Sequence, residues 1–338
     1  MRLALDAMGG DDAPRAMVRG AIDYARAFPT HTVILVGRES DITASLTAEG
    51  GALPNIVIEH APEIIGMAEK MQALKDKPND SMNRSAQLVK QGKADAMVLC
   101  GNTGCSVAAA QLHLRRIPGV KRAGILTPLP KPSGSTWICD SGANSVGKPK
   151  HLAQFAEMSA AFLTKVYGIA NPRVGVLSNG EEDGKGTELT SETLELLRKT
   201  SVNLVGYVEG HGLFSADVDV VVCDGFTGNI VLKCCEGLEV GLRRIIKEEI
   251  HRGFFTKLGG WLSKPAFAGV KRRIDWRNVG GCFLLGVDGV TIIGHGRSDR
   301  VAVYHALKQA AKAVETKAVE GLRERFRTAA SEMAAEAR

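Results

Sequence analysis

Eight short apolar runs rich in Val, Ile and Leu punctuate this 338-residue chain, at 2–6, 32–37, 55–58, 96–100, 123–127, 173–177, 202–208 and 218–223. Helical periodicity fills many of the gaps, over 14–28, 81–90, 107–114, 152–166, 188–197 and 229–250. Strand–helix alternation of this kind restricts the chain to an α/β architecture, with a mostly parallel sheet covered by helices on both faces. Pro128 to Ser135 (PLPKPSGS) is the best linker candidate and would separate two lobes. No change of composition crosses it, so residues 1–338 are read as one α/β/α domain. A basic, aromatic helical segment at about 240–280 and a long exposed C-terminal helix at about 299–335 complete the expected organisation.

Five glycine-rich turns fall where apolar runs end: Met8-Gly9-Gly10-Asp11, Gly101-Asn102-Thr103-Gly104, Gly180 to Gly186, Asp224 to Asn229, and Gly294 to Ser298. In open parallel sheets ligands bind beyond the carboxyl ends of the strands. Glycine lets backbone N–H groups approach an anion, and a following helix presents its positive end to the same point. The turns therefore predict a phosphate-handling site built from the amides of Gly9, Gly10, Gly101, Gly104, Gly184, Gly186 and Gly228.

Several classes of chemistry are disfavoured. Gly142 to Lys148 has the spacing of a phosphate-binding P-loop, but Pro149 stands where a magnesium-holding hydroxyl and a continuing helix belong. No GxGxxG with a downstream acid follows a strand, which argues against a classical dinucleotide enzyme. Seven cysteines show no metal-ligand spacing and lie in or beside apolar runs, as buried reduced thiols do. Neither a cofactor nor a metal is called for, and the start of the chain shows no apolar signal core.

Within the turns, Lys185 is a candidate phosphate contact, ahead of a helix for which Thr187 is a plausible N-cap. Asn102, Thr103 and Asn229 can donate to an anion or a polarised carbonyl, or can simply cap the helices they open. His295 and Ser298 stand with Asp299, but near neighbours in one segment seldom form a catalytic relay, so substrate orientation by His295 and turn stabilisation both stay open. Cys105 sits where a helix start can lower a thiol pKa, yet no histidine is placed beside it by sequence.

The net charge of +6 is concentrated in one segment. Ten Lys/Arg between Arg243 and Arg277 face Glu248, Glu249 and Asp275, so this stretch holds the whole basic excess. Arg252, Phe254, Lys257, Leu258, Trp261 and Lys264 alternate charge with apolar bulk. That pattern suits an anionic membrane surface, or a subunit contact whose lysines steer an acidic partner. The aromatics are too few and the charge too local for nucleic acid.

Taken together, Asp6-Ala-Met-Gly-Gly-Asp11, Gly101-Asn-Thr-Gly104, Gly142-Ala-Asn144 with Lys148-Pro149, Glu182-Asp183 with Lys185-Gly186, Asp224 to Asn229, and His295-Gly with Ser298-Asp299 resemble the PlsX family of phosphate acyltransferases. Cys105 stands where that family commonly has alanine, and Ser141 and Ser145-Val146 also depart from it. The resemblance implies transfer of a fatty acyl group from acyl carrier protein to inorganic phosphate, without a cofactor. The product, acyl phosphate, would serve a membrane glycerol-3-phosphate acyltransferase in phospholipid synthesis. It further implies a three-layer α/β/α fold like that of phosphotransacetylases and isocitrate-dehydrogenase-like proteins, a homodimer, and a cytoplasmic protein peripherally bound to membrane. Lys185, Asn102, Thr103, Asn229 and His295 then become the expected catalytic groups, with Asp183 and Ser298 among the substrate-binding ones. Without the resemblance, a decarboxylating NAD(P)-dependent dehydrogenase of similar fold and a non-catalytic membrane-binding scaffold remain as alternatives.

Overall fold

A computed structural model of the chain describes residues 1–336 other than 52, 183 and 216, with side chains up to residue 327. The strands are β1 (Arg2–Asp6), β2 (Thr32–Gly37), β3 (Ile56–His60), β4 (Ala96–Leu99), β5 (Gly124–Pro130), β6 (Ser135–Cys139), β7 (Arg173–Leu177), β8 (Asn203–Val208), β9 (Val220–Val222), β10 (Cys282–Leu285) and β11 (Val290–Ile293). The helices are α1 (Arg15–Ala27), α2 (Glu39–Ala48), α3 (Ala73–Asp76), α4 (Ser81–Lys90), α5 (Thr103–His113), α6 (Pro149–Phe162), α7 (Glu188–Leu197), α8 (Gly225–His251), α9 (Phe254–Leu262), α10 (Lys264–Ile274), α11 (Arg300–Glu315) and α12 (Ala318–Glu336).

Among the described residues all eleven strands join one sheet in the order β3-β2-β1-β4-β11-β10-β5-β6-β9-β7-β8. Both faces are covered, and the strand sequences show why. Leu3 and Leu5, Val33 and Leu35, and Ala96 and Val98 pack into one core with α1, α2, α6, α7, α11 and α12. Their neighbours Ala4, Ile34, Val36, Met97 and Leu99 pack on the opposite face with α4 and α5. Side chains alternate across a strand, so a strand apolar at every position must be buried on both sides.

Pairing is parallel from β3 through β11 and again from β6 through β8. The three pairings between them, β11–β10, β10–β5 and β5–β6, are antiparallel. As a result β6, β9, β7 and β8 run opposite to β1, β2, β3, β4 and β11. Their carboxyl ends lie at the other edge of the sheet.

Two expectations are corrected here. Pro128 to Ser135 is no linker, because β5 and β6 pair as a hairpin with Pro130 opposite Ser135. The long exposed C-terminal helix is two helices, broken at Lys317, whose φ of 53° lies in the left-handed region. The first of them buries Val303, Ala306, Leu307 and Ala310 against the core, packed on α1. The 240–280 segment forms the end of α8 with α9 and α10, and neither α9 nor α10 has a buried residue.

Candidate active site

Three of the glycine turns meet at one sheet edge. The N–H of Asp11 donates to the Gly296 carbonyl at 2.7 Å, and that of Gly294 to the Leu99 carbonyl at 2.7 Å. The turns after β1, β4 and β11 are thereby stitched together. A side chain at Gly9 would place its Cβ 2.4 Å from Asp6 Oδ2 and 2.7 Å from the Gly101 nitrogen, so only glycine permits this approach. Beneath it, burial pushes the Asp6 carboxyl up to about 6, while Oδ1 accepts the Met8 N–H at 3.0 Å and Oδ2 has no hydrogen-bond partner among the described residues.

The turn after β9 emerges at the opposite edge but reaches the same place along α8. Asp224 caps that helix, accepting the Thr227 N–H at 2.9 Å and its hydroxyl at 2.7 Å. Gly228 fits against the Asp140 carbonyl, where a Cβ would stand only 1.9 Å away. Asn229, Lys233 and Glu236 follow at helical spacing on one face and line a cavity of about 1030 Å³ shared with Thr103, His295 and Arg297.

Charge at the polar end of this cavity is organised by Glu236. Lys233 Nζ lies 3.2 Å from the Glu236 carboxylate and 3.1 Å from His295 Nε2, and Arg297 donates to Glu236 Oε2 at 3.0 Å. His295 above all, with Lys233, draws the Glu236 carboxyl down to about 2 despite its partial burial. It therefore stays ionised at any working pH and holds two cations and an imidazole in one place. Trp276 supports the group from below, with the Arg297 guanidinium 4.9 Å from its ring centre. The Asn229 carboxamide and the Thr103 hydroxyl have no intramolecular partner among the described residues, so both are free to donate. Much of the remaining lining is apolar, including Leu129, Leu213, Phe214, Ile230, Leu238 and Leu242.

Of the residues expected from sequence, Thr103, Asn229 and His295 line this cavity. Asn102 does not: its Oδ1 caps α5 at the Cys105 N–H, 3.0 Å away, and its Nδ2 donates to the Met67 and Glu69 carbonyls at 2.7 and 3.1 Å. Gly9, Gly10, Gly101, Gly104, Gly228 and Ser298 stand in the turns around the cavity and not in its lining. Ser298 Oγ accepts the His295 N–H at 3.1 Å, whereas Asp299 caps α11 and pairs with Arg277, so these residues form no relay. Lys185, Gly184 and Gly186 lie on the loop after β7, outside the lining. That loop opens α7 through the expected Thr187 cap, closed by a capping box with Thr190. Asp183 falls outside the described residues.

Three further expectations find physical reasons. The P-loop look-alike is filled by the protein itself: the Asp140 carboxylate accepts the N–H groups of Gly142, Ala143 and Asn144 at 3.0, 2.9 and 2.8 Å. Burial first, then Asp80 and Glu69, raises the Cys105 thiol, the wrong direction for a nucleophile. The seven cysteines are all free, but the expected burial fails for Cys234, which is exposed, and for Cys235 and Cys282, which are half-buried. Lys233, Glu236 and Arg297 were not singled out by sequence. Their signal was available in the spacing: Lys233 and Glu236 stand four and seven residues after Asn229, one face of an amphipathic helix.

Arg252, Phe254, Lys257, Leu258, Trp261 and Lys264 lie far along the α8–α10 arm and form no part of the cavity lining. Phe254, Phe255 and Trp261 are 76%, 83% and 68% exposed, a level unusual for large apolar side chains. No helix among the described residues is long and apolar enough to cross a membrane.

Similarity to known proteins agrees with this architecture. The solved structure of a phosphotransacetylase from Streptococcus pyogenes matches with a TM-score of 0.64 at 18% identity, covering 93% of this chain and 94% of that one. A 4-hydroxythreonine-4-phosphate dehydrogenase from Klebsiella pneumoniae matches with a TM-score of 0.54 at 12% identity, over 92% of this chain and 99% of that one. Such distant likenesses establish the fold alone. A protein of Pelotomaculum thermopropionicum named phosphate acyltransferase is 46% identical over 325 residues, 96% of this chain and 94% of its own length. Another of that name, from Myxococcus xanthus, is 46% identical over 312 residues, 91% of this chain and 88% of its own. Residues 1–320 match the family described as fatty acid synthesis protein. With nearly the whole length covered at this identity, the chain belongs to the fatty acid synthesis protein, or PlsX, family.

Proposed function

We propose that the chain is a phosphate acyltransferase that moves a fatty acyl group from acyl carrier protein to inorganic phosphate, giving acyl phosphate for phospholipid synthesis. The observation that carries this reading is one cavity whose lining combines a hydrogen-bonded charged group with many apolar side chains. Its apolar side chains suit an acyl chain, and Lys233, Arg297, Asn229 and Thr103 are offered to an anion and a developing oxyanion. The name shared by its relatives supports the same reaction.

Phosphate at neutral pH is already anionic, and a thiol of pKa about 8.5 is a fair leaving group, so the protein chiefly positions the reactants and compensates charge. A phosphate oxygen attacks the thioester carbonyl carbon, and Asn229 and Thr103 donate to the oxyanion that forms. Its collapse breaks the C–S bond, and the departing thiolate takes up a proton. The scheme uses no cofactor, no metal and no acyl-enzyme. Lys185, on the glycine-rich loop after β7 and outside the cavity lining, is retained in the scheme as a cation for phosphate. The helix that this loop opens, α7, does approach the start of α8 across Gly147, where a Cβ would meet Asp224 at 3.0 Å and Leu189 at 3.5 Å.

Mixing the purified chain with acyl carrier protein thioester should release free carrier thiol only when phosphate is present, in step with acyl phosphate. Release at the same rate without phosphate contradicts the reading. In this assay Lys185→Ala is expected to lose about 100-fold, the size of one oxyanion or phosphate donor. Near-wild-type turnover would remove Lys185 from the site.

The exposed α9–α10 arm is proposed as the contact with an anionic membrane surface, where a downstream glycerol-3-phosphate acyltransferase would receive the product, and the chain as a homodimer. Basic residues near such a surface contribute about 1 kcal/mol each, and the exposed Phe and Trp supply apolar insertion. Co-sedimentation with vesicles containing phosphatidylglycerol is expected to fall at least tenfold in a Leu258→Glu, Trp261→Glu double variant. Unchanged binding assigns the arm to the partner subunit or the carrier protein.

A further inference from the structure

A second concavity, of about 920 Å³, lies apart from the candidate active site and shares no lining residue with it. Arg116, Lys121, Arg122, Lys148, Lys150 and His151 line it, facing Glu192 and Glu195 on α7. They come from two segments that are pinned together. The Lys121 N–H donates to Gln154 Oε1 at 2.8 Å, and Gln154 Nε2 donates to the Gly119 carbonyl at 3.0 Å, fastening the loop before β5 to α6. The Arg116 guanidinium is fixed on the Lys121 carbonyl.

None of the five cations is in an ion pair among the described residues. Of the two facing carboxylates, Glu195 is already held by Arg198. The same wall carries the first turn of α6, which has Pro149 at its start, no acidic residue and no side-chain cap from Lys148. The positive end of a 14-residue helix thus adds to the cationic side chains. His151 completes the wall. Its Nδ1 is buried without a hydrogen-bond partner among the described residues, and its pKa is lowered by burial first and then by Arg122, Lys148 and Arg116. Like charges around one concavity repel one another, and a bound anion relieves that repulsion.

We propose that this concavity binds a compact anion bearing a phosphoryl group, at a site separate from the one where acyl transfer occurs. The donors match the chemistry: guanidinium and ammonium groups with a helix N-terminus are the recurrent partners of phosphoryl oxygens. The volume exceeds that of a single phosphate and leaves room for an organic remainder.

The His151 ring is a built-in reporter, because an anion seated among these cations favours its protonated form. Its titration can be followed by NMR of the intact protein, assigned with His151→Asn. Pyrophosphate at millimolar concentration is expected to raise the His151 midpoint by about one pH unit relative to sodium chloride at equal ionic strength. A Lys121→Glu, Lys150→Glu double variant should abolish the shift. Lys150→Gln, which removes one exposed charge, should weaken apparent pyrophosphate affinity at least threefold if the double variant does not fold. A second arm with inorganic phosphate separates the sources: an equal shift identifies free phosphate as sufficient, and a shift with pyrophosphate alone identifies a larger phosphoryl compound. A midpoint unmoved by both anions, or moved equally in the folded variants, overturns the proposal.

Discussion

Lys233→Ala is expected to lower kcat/KM for phosphate by about 100-fold or more, the loss typical of removing one preorganised donor from a charge-stabilising site. Lys233 stands one turn after Asn229 on α8, and its ammonium is 3.1 Å from His295 and 3.2 Å from Glu236. Its removal takes away a charge-assisted donor and releases both neighbours. Arg297 keeps its own bond to Glu236, so some phosphate affinity survives. Lys233→Arg should recover only part of the activity, because a planar fork does not reproduce a compact ammonium. Steady-state kinetics with phosphate varied at saturating acyl carrier protein thioester measures this directly. A loss below about threefold places the phosphate elsewhere.

Gly228→Ala is the second large effect, and it acts through backbone packing. Alanine is the better helix former by about 1 kcal/mol, so a free position in α8 should gain from the exchange. At 228 the new Cβ would stand 1.9 Å from the Asp140 carbonyl oxygen, a backbone atom that cannot swing aside. Overpacking of this kind costs about 1–3 kcal/mol, and here it also pushes Asn229 and Lys233 off their positions. Gly237→Ala in the same helix is the control, since nothing lies within 4 Å of its Cβ position. Urea denaturation should show Gly228→Ala losing about 3 kcal/mol with little turnover left, while Gly237→Ala is neutral or slightly stabilised. Equal stability of the two variants would contradict the close packing at 228.

Much of this arrangement was legible in the chain. Val/Ile/Leu runs marked the strands because those strands are buried on both faces, and β1, β2 and β7 fall on the runs read for them. The reversal of half the sheet was not legible. It depends on β6 (STWIC) and β10 (CFLL), strands of five and four residues that are too short to show an alternation, and on a proline-rich turn that imitates a linker. That reversal decides which turns meet at the site. Three converge at one edge, and the β9 turn is brought in by the length of α8. The β7 turn with Lys185 stays outside the lining. Thr103, Asn229 and His295 were readable because they open helices or follow strands in glycine turns. Lys233 and Glu236 read as ordinary solvated positions on a helix until the fold shows which face meets His295.

The mixed lining of the cavity also explains why a fold shared with proteins of other activities can serve acyl transfer. Nothing in the strand core is specific to a thioester. Specificity lies in side chains placed by turns and by the first three turns of α8, where the Glu236 carboxylate fixes the cations before substrate arrives. Preorganisation of this kind stabilises charge without reorientation during the reaction.

The most direct test is a crystal structure of the protein with orthophosphate at a concentration that saturates turnover. The anion is expected at the polar end of the cavity, within hydrogen-bond distance of Lys233 Nζ and of Asn229 or Thr103. An empty polar end in crystals of enzyme that is active under the same conditions would contradict the assignment of this cavity as the place where phosphate meets the acyl group.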